Sequence, residues 1–182
     1  MAPRGLIGLG QDTIDFSTGE MREIFHLLAG RPHTNPNDNP DDNNTTNTNG
    51  NDDDDNNTNA NDNSNGEDKD KPSYPLLLHC TQGKDRTGLV ILLLLLLTRS
   101  VPDAAIARDY MRSEPELLVE AEERLKEVRA LGIPDEYLKC PEGFPGAIRE
   151  YLDEKYGGVE GYLKFAGIGK EEREEIRSKL LV

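Results

Sequence analysis

The sequence predicts an α/β fold in which a small central sheet is surrounded by helices. The stretch Tyr74–His79 is short, apolar and bounded by proline, which is typical of a buried strand. A loop over Cys80–Arg86 follows, and then a helix from Thr87 to about Arg99 that is apolar on every face, so we expect it at the centre of the domain. Because a single strand needs partners along its edges, the sheet is expected to be incomplete in this chain.

One helix is predicted upstream of the strand. Residues 1–16 are rich in glycine and show no clear periodicity, so no element is expected there. Ser17 or Thr18 caps a helix over residues 19–28, whose apolar positions fall on one face: Met21, Ile24, Phe25 and Leu28. Gly30 ends this helix.

Downstream of the loop the chain is predicted to be mostly helical. Pro102 lies near the start of a helix that runs to about Ser113, and Glu114-Pro115 is expected to break it. A charged helix then spans roughly residues 116–131 and is expected to present a solvated face. Further helices are predicted over residues 145–156, 159–165 and 170–181.

A long polar segment separates the first helix from the strand. Residues 33–72 hold 14 asparagines and 10 aspartates and contain no Val, Ile, Leu, Phe or Tyr. Such a composition cannot bury enough apolar surface to offset the entropy lost on ordering, so we expect a disordered, low-complexity insert. The chain is therefore predicted to divide into an N-terminal remnant of the domain (1–32), the insert (33–72) and the main part of the domain (73–182).

The net charge of −14 comes mostly from the insert, which holds 11 acidic residues and two lysines. An acidic chain is repelled by nucleic acid and by anionic membranes, so nucleic acid is not an expected partner. The apolar run Leu89–Leu97 has nine residues, whereas a membrane span needs about twenty, so no membrane span is expected. The N-terminus lacks the apolar stretch of a signal peptide, which favours a cytoplasmic location.

The two cysteines, Cys80 and Cys140, have no CxxC partner, so neither a zinc site nor a disulfide framework is expected. A lone reactive thiol needs a reducing compartment. Two interpretations of Cys140 stay open: a structural or surface thiol, or a second cysteine that protects the first through a reversible disulfide.

The segment His79–Gly88, with the sequence HCTQGKDRTG, lies where the predicted strand leads through the loop into the helix. A short loop at a helix N-terminus directs successive backbone amides towards one point and so forms an anion nest. These amides and the helix macrodipole also stabilise a thiolate. A cysteine in such a place titrates at about 3.5–7.5 rather than near 8.5, so Cys80 is predicted to be an ionised nucleophile at neutral pH.

The other residues of this segment suit chemistry on a phosphate monoester. Arg86, six positions after Cys80, can bind two phosphoryl oxygens with its planar guanidinium. Thr87 can donate a hydrogen bond to the sulfur and help the thiolate leave. Gly83 lets the backbone turn closely around the ligand, and His79 is expected to organise the loop. The predicted substrate-binding residues are His79, Thr81, Gln82, Gly83 and Lys84.

The pattern HCxxGxxR[ST]G resembles the loop of the protein tyrosine phosphatase superfamily. The version GKDRTG, with Lys84 and Asp85, is similar to the bacterial-type tyrosine/serine protein phosphatases, which also occur in fungi. The stretch Leu152–Leu163, LDEKYGGVEGYL, is similar to the C-terminal signature of that family, and the helix at 19–28 also resembles its counterpart. The resemblance covers the region 73–182 and implies a protein-tyrosine-phosphatase-like fold.

The resemblance implies attack by the Cys80 thiolate, a phosphocysteine intermediate and its hydrolysis, with Arg86 and the loop amides in place of any metal or cofactor. Members of the family act on phosphotyrosine, some on phosphoserine and some on phosphoinositides, so a phosphorylated protein or a phosphoinositide is the implied partner. Family members also carry a longer N-terminal part that begins the sheet, and nothing similar precedes Gly19. A truncated, inactive phosphate-binding domain is therefore an alternative, as is a phosphoinositide phosphatase, and the oligomeric state is not predicted.

Two assignments have alternatives. Lys84 is either a cation beside the phosphate, which would suit a phosphoinositide head group, or a solvated surface lysine. The acid that protonates the leaving group is either Asp85, which matches the loop aspartate of the family, or an upstream carboxylate, Asp12 or Asp15. The alternative for Asp85 is a loop-stabilising carboxylate, and the alternative for Asp12 and Asp15 is a plain surface position.

Overall fold

The computed structural model describes residues 4–30, 76–117, 119 and 121–181. Within these ranges the chain folds into nine α-helices and one 3-10 helix, the latter over Asp135–Leu138. The α-helices are α1 (Gly5–Phe16), α2 (Thr18–Ala29), α3 (Asp85–Thr98), α4 (Asp103–Met111), α5 (Ser113–Leu117), α6 (Ala121–Ala130), α7 (Phe144–Tyr156), α8 (Val159–Phe165) and α9 (Lys170–Leu180).

Helix α3 forms the centre of the domain, as its all-round apolar sequence predicts. Helices α1, α4, α8 and α9 pack around it. Most of its circumference is buried, while Ile91, Leu95 and Leu96 are partly buried. The buried residues are Leu89, Val90, Leu92, Leu93, Leu94, Leu97 and Thr98. Burying one such leucine stabilises the fold by about 1.5–3 kcal/mol relative to leaving it exposed, so α3 is firmly anchored.

The length of α3 also bears on membranes. It has 14 residues, whereas a helix that crosses the hydrocarbon core needs about twenty. No helix in the described ranges combines the length and the apolar character required of a membrane span.

Helix α1 departs from the sequence prediction, which places no element in residues 1–16. The helix lies against α7 because glycine permits a close approach: a β-carbon at Gly10 would be 2.8 Å from the Phe144 ring and 3.0 Å from Ile148. Ile14, on the same helix, is fully buried. Since glycine contributes no hydrophobic signal, the apolar periodicity does not reveal this helix.

The region after α4 also differs from the prediction, which breaks the chain at Glu114-Pro115 and continues one charged helix over 116–131. Pro115 is instead the third residue of α5, where a backbone N–H has no partner within the helix and proline is therefore tolerated. The charged stretch is divided between α5 and α6. The remaining predicted helices are confirmed to within one or two residues at each end.

The predicted strand and its sheet do not occur in the part of the chain that the structure describes. Residues 76–79 form no regular element, and Tyr74 and Pro75 lie outside the described residues, as does the predicted insert at 33–72. A strand requires a hydrogen-bonded neighbour, and no described segment supplies one. The described fold is therefore helical, and the small central sheet stays a prediction.

A carboxylate on α1 joins the N-terminal helices to α7. Asp15 Oδ1 accepts a hydrogen bond from the Tyr156 hydroxyl at 2.8 Å, and Oδ2 accepts bonds from the Tyr151 hydroxyl at 2.7 Å and from Lys155 Nζ at 2.6 Å. Partial burial alone would raise the pKa of Asp15, but these donors outweigh it and lower the pKa below its ordinary value. The side chain is 19% exposed, so the plain surface position considered for Asp15 is wrong. A carboxylate held ionised in this way is also poorly suited to donate a proton to a leaving group.

We expect Asp15→Asn to lower the free energy of unfolding by about 2 kcal/mol, because three donors lose a charged acceptor. Denaturant unfolding at neutral pH would measure the loss. A group whose pKa is lowered by folding stabilises the fold above its unfolded pKa and ceases to do so as the pH falls through the folded pKa. The difference between the wild-type chain and Asp15→Asn should therefore shrink in acid.

The matched control is Asp12→Asn, which removes an exposed carboxylate that lies 2.6 Å from Arg4 Nη2. Exposed ion pairs contribute about 0–1 kcal/mol, so this variant should unfold nearly as the wild-type chain does. Equal losses in the two variants would contradict a stabilising link between α1 and α7.

Candidate active site

The loop that carries the motif lies at the N-terminus of the buried helix α3. Residues 81–84 form a bend, and the helix begins at Asp85. Gly83 has a φ of +67°, a left-handed conformation that glycine adopts without strain. The amides that begin a helix have no acceptor within it, so they are available to an anion.

Cys80 stands at the start of this bend with its side chain partly buried. Burial alone would raise the pKa of the thiol. The donors around the sulfur, which are the Thr87 hydroxyl and the backbone amides of Thr87, Gln82 and Gly83, outweigh burial and lower the pKa of Cys80 to about 7. The Thr87 hydroxyl oxygen is buried and has no hydrogen-bond partner among the described residues, so the hydroxyl is available to donate to the sulfur. About half of the Cys80 side chains are therefore thiolates at neutral pH.

Arg86 reaches back over the loop. Its Nη2 donates a hydrogen bond to Thr81 Oγ1 at 3.1 Å, and its side chain is exposed, so a ligand has access to the guanidinium. Gln82 is partly buried, and its backbone amide is directed towards the sulfur of Cys80. His79 is exposed, and the organising role expected for it stays a prediction.

Lys84 lies in neither of the two environments considered for it. Its side chain is fully buried rather than solvated. Nζ donates hydrogen bonds to the carbonyl oxygens of Tyr137 and Lys139, both at 2.8 Å, and lies 3.3 Å from Asp85 Oδ1. The two carbonyl oxygens engage two of the three N–H donors of the ammonium, and Asp85 Oδ1 faces it as an ion pair without a hydrogen bond. The charge is thus held inside the protein and is not free to contact a phosphate at the loop.

Asp85 is the candidate acid that lies closest to the nucleophile in the chain, and its side chain is 31% exposed. Burial raises the pKa of this carboxyl above its ordinary value, although the charges of Lys84 and Arg86 act in the opposite direction. A raised pKa suits a proton donor better than the lowered pKa of Asp15 does. Asp12 and Asp15, the upstream candidates, are instead engaged by basic or hydroxyl groups around α1.

Sequence reasoning missed the side chain that supports α3 next to the loop. Tyr110 on α4 is 8% exposed, and its ring stacks on Phe144 with the ring centroids 4.9 Å apart. A β-carbon at Gly88 would lie 3.2 Å from the Tyr110 ring, so this glycine lets the first turns of α3 approach α4. The spacing of Ile106 and Tyr110 predicts a buried face on α4 but does not indicate which element that face meets.

Cys140 has the environment of a structural thiol. It is 4% exposed, and burial raises its pKa to about 11, so it is protonated at neutral pH. Both cysteines are free in the structure. A protonated, buried thiol is a weak nucleophile in disulfide exchange, which favours the structural interpretation over a protective one.

The described side chains offer no metal centre. No group of three or more His, Cys, Asp or Glu residues in the described ranges is arranged to hold a metal ion.

Of the two cations in the loop, Arg86 is exposed and Lys84 is buried, so Arg86 is the one that can meet an anionic ligand.

A comparison with protein families identifies the group to which the chain is related. A model of the tyrosine phosphatase family matches residues 65–182, which is more than half of the chain. The chain belongs to the tyrosine phosphatase family. The resemblance drawn from the loop and from the C-terminal signature is thereby confirmed.

Two curated members of the phosphatase group match this chain. A tyrosine-protein phosphatase from Nostoc commune is 34% identical over 116 residues, which cover 57% of this chain and 38% of the relative. A triple specificity protein phosphatase, PtpB, from Mycobacterium tuberculosis is 33% identical over 130 residues, which cover 59% of this chain and 44% of the relative. The matched region thus spans less than half the length of either relative.

In this tyrosine phosphatase family member we expect Thr87→Val to raise the pKa of Cys80, because the variant loses the hydroxyl donor but keeps the backbone amide. A rise of one unit from 7 would lower the thiolate fraction at neutral pH about fivefold. The pH dependence of alkylation by iodoacetamide, with the modified cysteine identified by mass spectrometry, measures the shift.

Thr98→Val is the control for this experiment. The Thr98 hydroxyl lies at the other end of the same helix and donates to the Leu95 carbonyl oxygen at 2.7 Å. If both variants shift the alkylation profile equally, the Thr87 hydroxyl has no specific effect on the sulfur.

Proposed function

We propose that this chain is the catalytic part of a cysteine-dependent phosphatase that hydrolyses phosphotyrosine through a phosphocysteine intermediate. The observation that carries the proposal is the Cys80 thiol, whose pKa is lowered to about 7 by donors at the N-terminus of α3. A thiolate surrounded by amide donors is at once a nucleophile and part of an anion site. Membership of the tyrosine phosphatase family supports this assignment.

In the first half of the proposed reaction, Cys80 Sγ attacks phosphorus. The S–P bond forms while the P–O bond to the leaving group breaks, and charge spreads over the three non-bridging oxygens. Arg86 and the loop amides bind these oxygens and stabilise the transition state. Asp85, whose pKa burial raises, is the proposed acid that gives a proton to the leaving phenolate oxygen.

In the second half, water attacks the phosphocysteine. Asp85, now a carboxylate, takes a proton from the water as the O–P bond forms and the S–P bond breaks. The Thr87 hydroxyl and the amides around the sulfur stabilise the departing Cys80 thiolate. Inorganic phosphate leaves, and the loop returns to its starting state with the Asp85 proton restored.

The substrate class we favour is a phosphorylated protein, with phosphotyrosine first and phosphoserine or phosphothreonine as further substrates. The relative from Mycobacterium tuberculosis is named a triple specificity protein phosphatase, which supports a range wider than phosphotyrosine. Apart from the family resemblance, the residue that favoured a phosphoinositide was Lys84, and the side chain of Lys84 is fully buried. A thiolate enzyme of this kind needs a reducing compartment, and we propose the cytoplasm.

In domain terms, we propose that residues 73–182 carry the catalytic residues and that residues 1–32 complete the core. Contacts of α1 with α3 and α7, and of α2 with α9, support this division. The segment 33–72 then separates two parts of one domain rather than two domains.

A phosphate-binding domain without turnover is the second candidate. It is favoured because the chain matches less than half the length of its relatives. Amides and one arginine suffice to bind phosphate, whereas an error of about 1 Å in the position of a catalytic group costs about a hundredfold in rate. A phosphate-dependent rise in melting temperature without turnover would support this candidate.

Release of phosphate from p-nitrophenyl phosphate by the 182-residue chain, with EDTA and no added metal, tests the proposed enzyme. We expect turnover by the wild-type chain and a loss of at least about a thousandfold in Cys80→Ser, since a serine hydroxyl is not ionised at neutral pH. Turnover that persists in Cys80→Ser would contradict the thiolate mechanism. No turnover from a cooperatively folded wild-type chain would leave the phosphate-binding domain.

Arg86→Lys is expected to lower kcat by about 10²–10³-fold, because an ammonium cannot bridge two phosphoryl oxygens in the transition state. Steady-state kinetics with phosphotyrosine measures the effect. The control is Arg99→Lys, at the exposed C-terminal end of the same helix, where the arginine pairs with Glu160. A comparable loss of kcat in the control would show that the change at position 86 acts on folding and not on the reaction.

A further inference from the structure

The loop contains a buried charge that the proposed reaction leaves without a role. The side chain of Lys84 is completely buried although it lies between the loop bend and the first residue of α3. Burying an ammonium costs several kcal/mol unless its donors are satisfied, so a lysine in this position requires fixed partners. Those partners show what the lysine holds together.

The acceptors of Lys84 come from two separate parts of the chain. Nζ donates to the carbonyl oxygens of Tyr137 and Lys139, each at 2.8 Å, which belong to the 3-10 helix and the residue after it. On the other side Nζ lies 3.3 Å from Asp85 Oδ1. The ammonium therefore connects the loop aspartate to a backbone segment more than fifty residues further along the chain.

This geometry is difficult to reconcile with a lysine that binds the substrate. For Nζ to reach a phosphate, it would have to give up its two hydrogen bonds of 2.8 Å to the carbonyl oxygens of Tyr137 and Lys139. It would also release Asp85 Oδ1 from its ion pair. Leaving buried acceptors unpaired is unfavourable, so the buried arrangement is favoured with or without a ligand.

We propose that Lys84 is a positioning residue, whose buried ammonium holds the Asp85 carboxyl against the Tyr137–Lys139 segment and so keeps it in one place relative to Cys80. The role rests on the function proposed above, because it acts through the proton transfers assigned to Asp85. It is a different role from that of a cation that recognises phosphate or a phosphoinositide head group.

The charges around Asp85 predict the direction of the effect. The groups that face it come from the loop and from three neighbouring segments: Lys84 and Arg86, Tyr110 on α4, Glu114 on α5 beside Tyr110, and Cys140 before α7. Burial raises the pKa of Asp85, and the charge of Lys84 is the first of the effects that lower it. Removing that charge leaves burial less opposed, so the pKa of Asp85 rises further.

The test compares Lys84→Met, Asp85→Asn and the double variant in the full chain, with phosphotyrosine and with p-nitrophenyl phosphate. We expect Lys84→Met to lower kcat for phosphotyrosine by about ten- to a hundredfold and to change KM by less than about threefold. The effect on p-nitrophenyl phosphate should be smaller, because its leaving group needs less protonation. The limb of the pH profile that follows Asp85 should move to higher pH.

Two comparisons separate positioning from a general loss of structure. When Lys84→Met is added to Asp85→Asn, kcat should fall by a further factor of less than about three, because both substitutions act on the same carboxyl group. Lys84→Arg keeps a positive charge and should recover part of the pH profile. The matched control is Lys126→Met, an exposed lysine on α6, which should behave as the wild-type chain does.

Lysine labelling of the wild-type chain tests the burial even if Lys84→Met fails to fold. With an acetylating reagent and mass spectrometry, Lys84 should react far more slowly than exposed lysines such as Lys126, to the same extent with and without inorganic phosphate. Rapid labelling of Lys84 that phosphate suppresses would overturn the proposal. So would a Lys84→Met variant that raises KM, or loses phosphoinositide hydrolysis selectively, with an unchanged pH profile.

Different results would contradict the phosphatase function and the positioning role of Lys84. A folded wild-type chain without turnover overturns the phosphatase function and the positioning role with it. An active wild-type chain in which Lys84→Met affects KM alone overturns the positioning role and leaves the phosphatase function in place.

Discussion

The burial of helix α3 is the constraint on which the candidate site depends. A helix with apolar residues on every face needs neighbours around most of its circumference, and α1, α4, α8 and α9 provide them. The N-terminus of α3 is therefore held in one place. The backbone amides there have no acceptor within the helix and are directed towards the sulfur of Cys80. The residues that build the core thus also fix the direction of the anion site.

The loop shifts the pKa values of Cys80 and Asp85 in opposite directions. At Cys80 the hydrogen-bond donors outweigh burial, and the pKa falls to about 7. At Asp85 burial outweighs the neighbouring cations, and the pKa rises. A loop that lowers the pKa of a thiol and raises the pKa of a carboxyl favours the two groups that a two-step displacement requires, a nucleophile and an acid, and the difference arises from which atoms face hydrogen-bond donors rather than from depth alone.

Local pattern was sufficient to predict most of the helices and the nucleophile, because apolar spacing and glycine or proline at helix ends are visible in the chain. The predicted cap of α2 was wrong in its chemistry, since Ser17 stands at the N-cap position but its side chain makes no capping hydrogen bond. Contacts between distant residues were not visible. The role of Asp15 depends on Tyr151, which lies 136 residues further along the chain. The inward direction of Lys84 depends on backbone carbonyl oxygens, which are present whatever the side chains of residues 137 and 139 are. A backbone acceptor leaves no mark in a sequence, so the lysine was interpreted from its charge alone.

The contacts of α1 also constrain the order in which the protein can fold as it is synthesised. Asp15 meets Tyr156 across 141 residues, and the Ile14 carbonyl oxygen meets the Tyr162 hydroxyl across 148. Pairings at such separation form slowly because closing a long chain segment is entropically unfavourable. Helix α1 leaves the ribosome long before α7 and α8, so its buried face, Leu6 and Ile14 included, must remain uncovered until they have emerged.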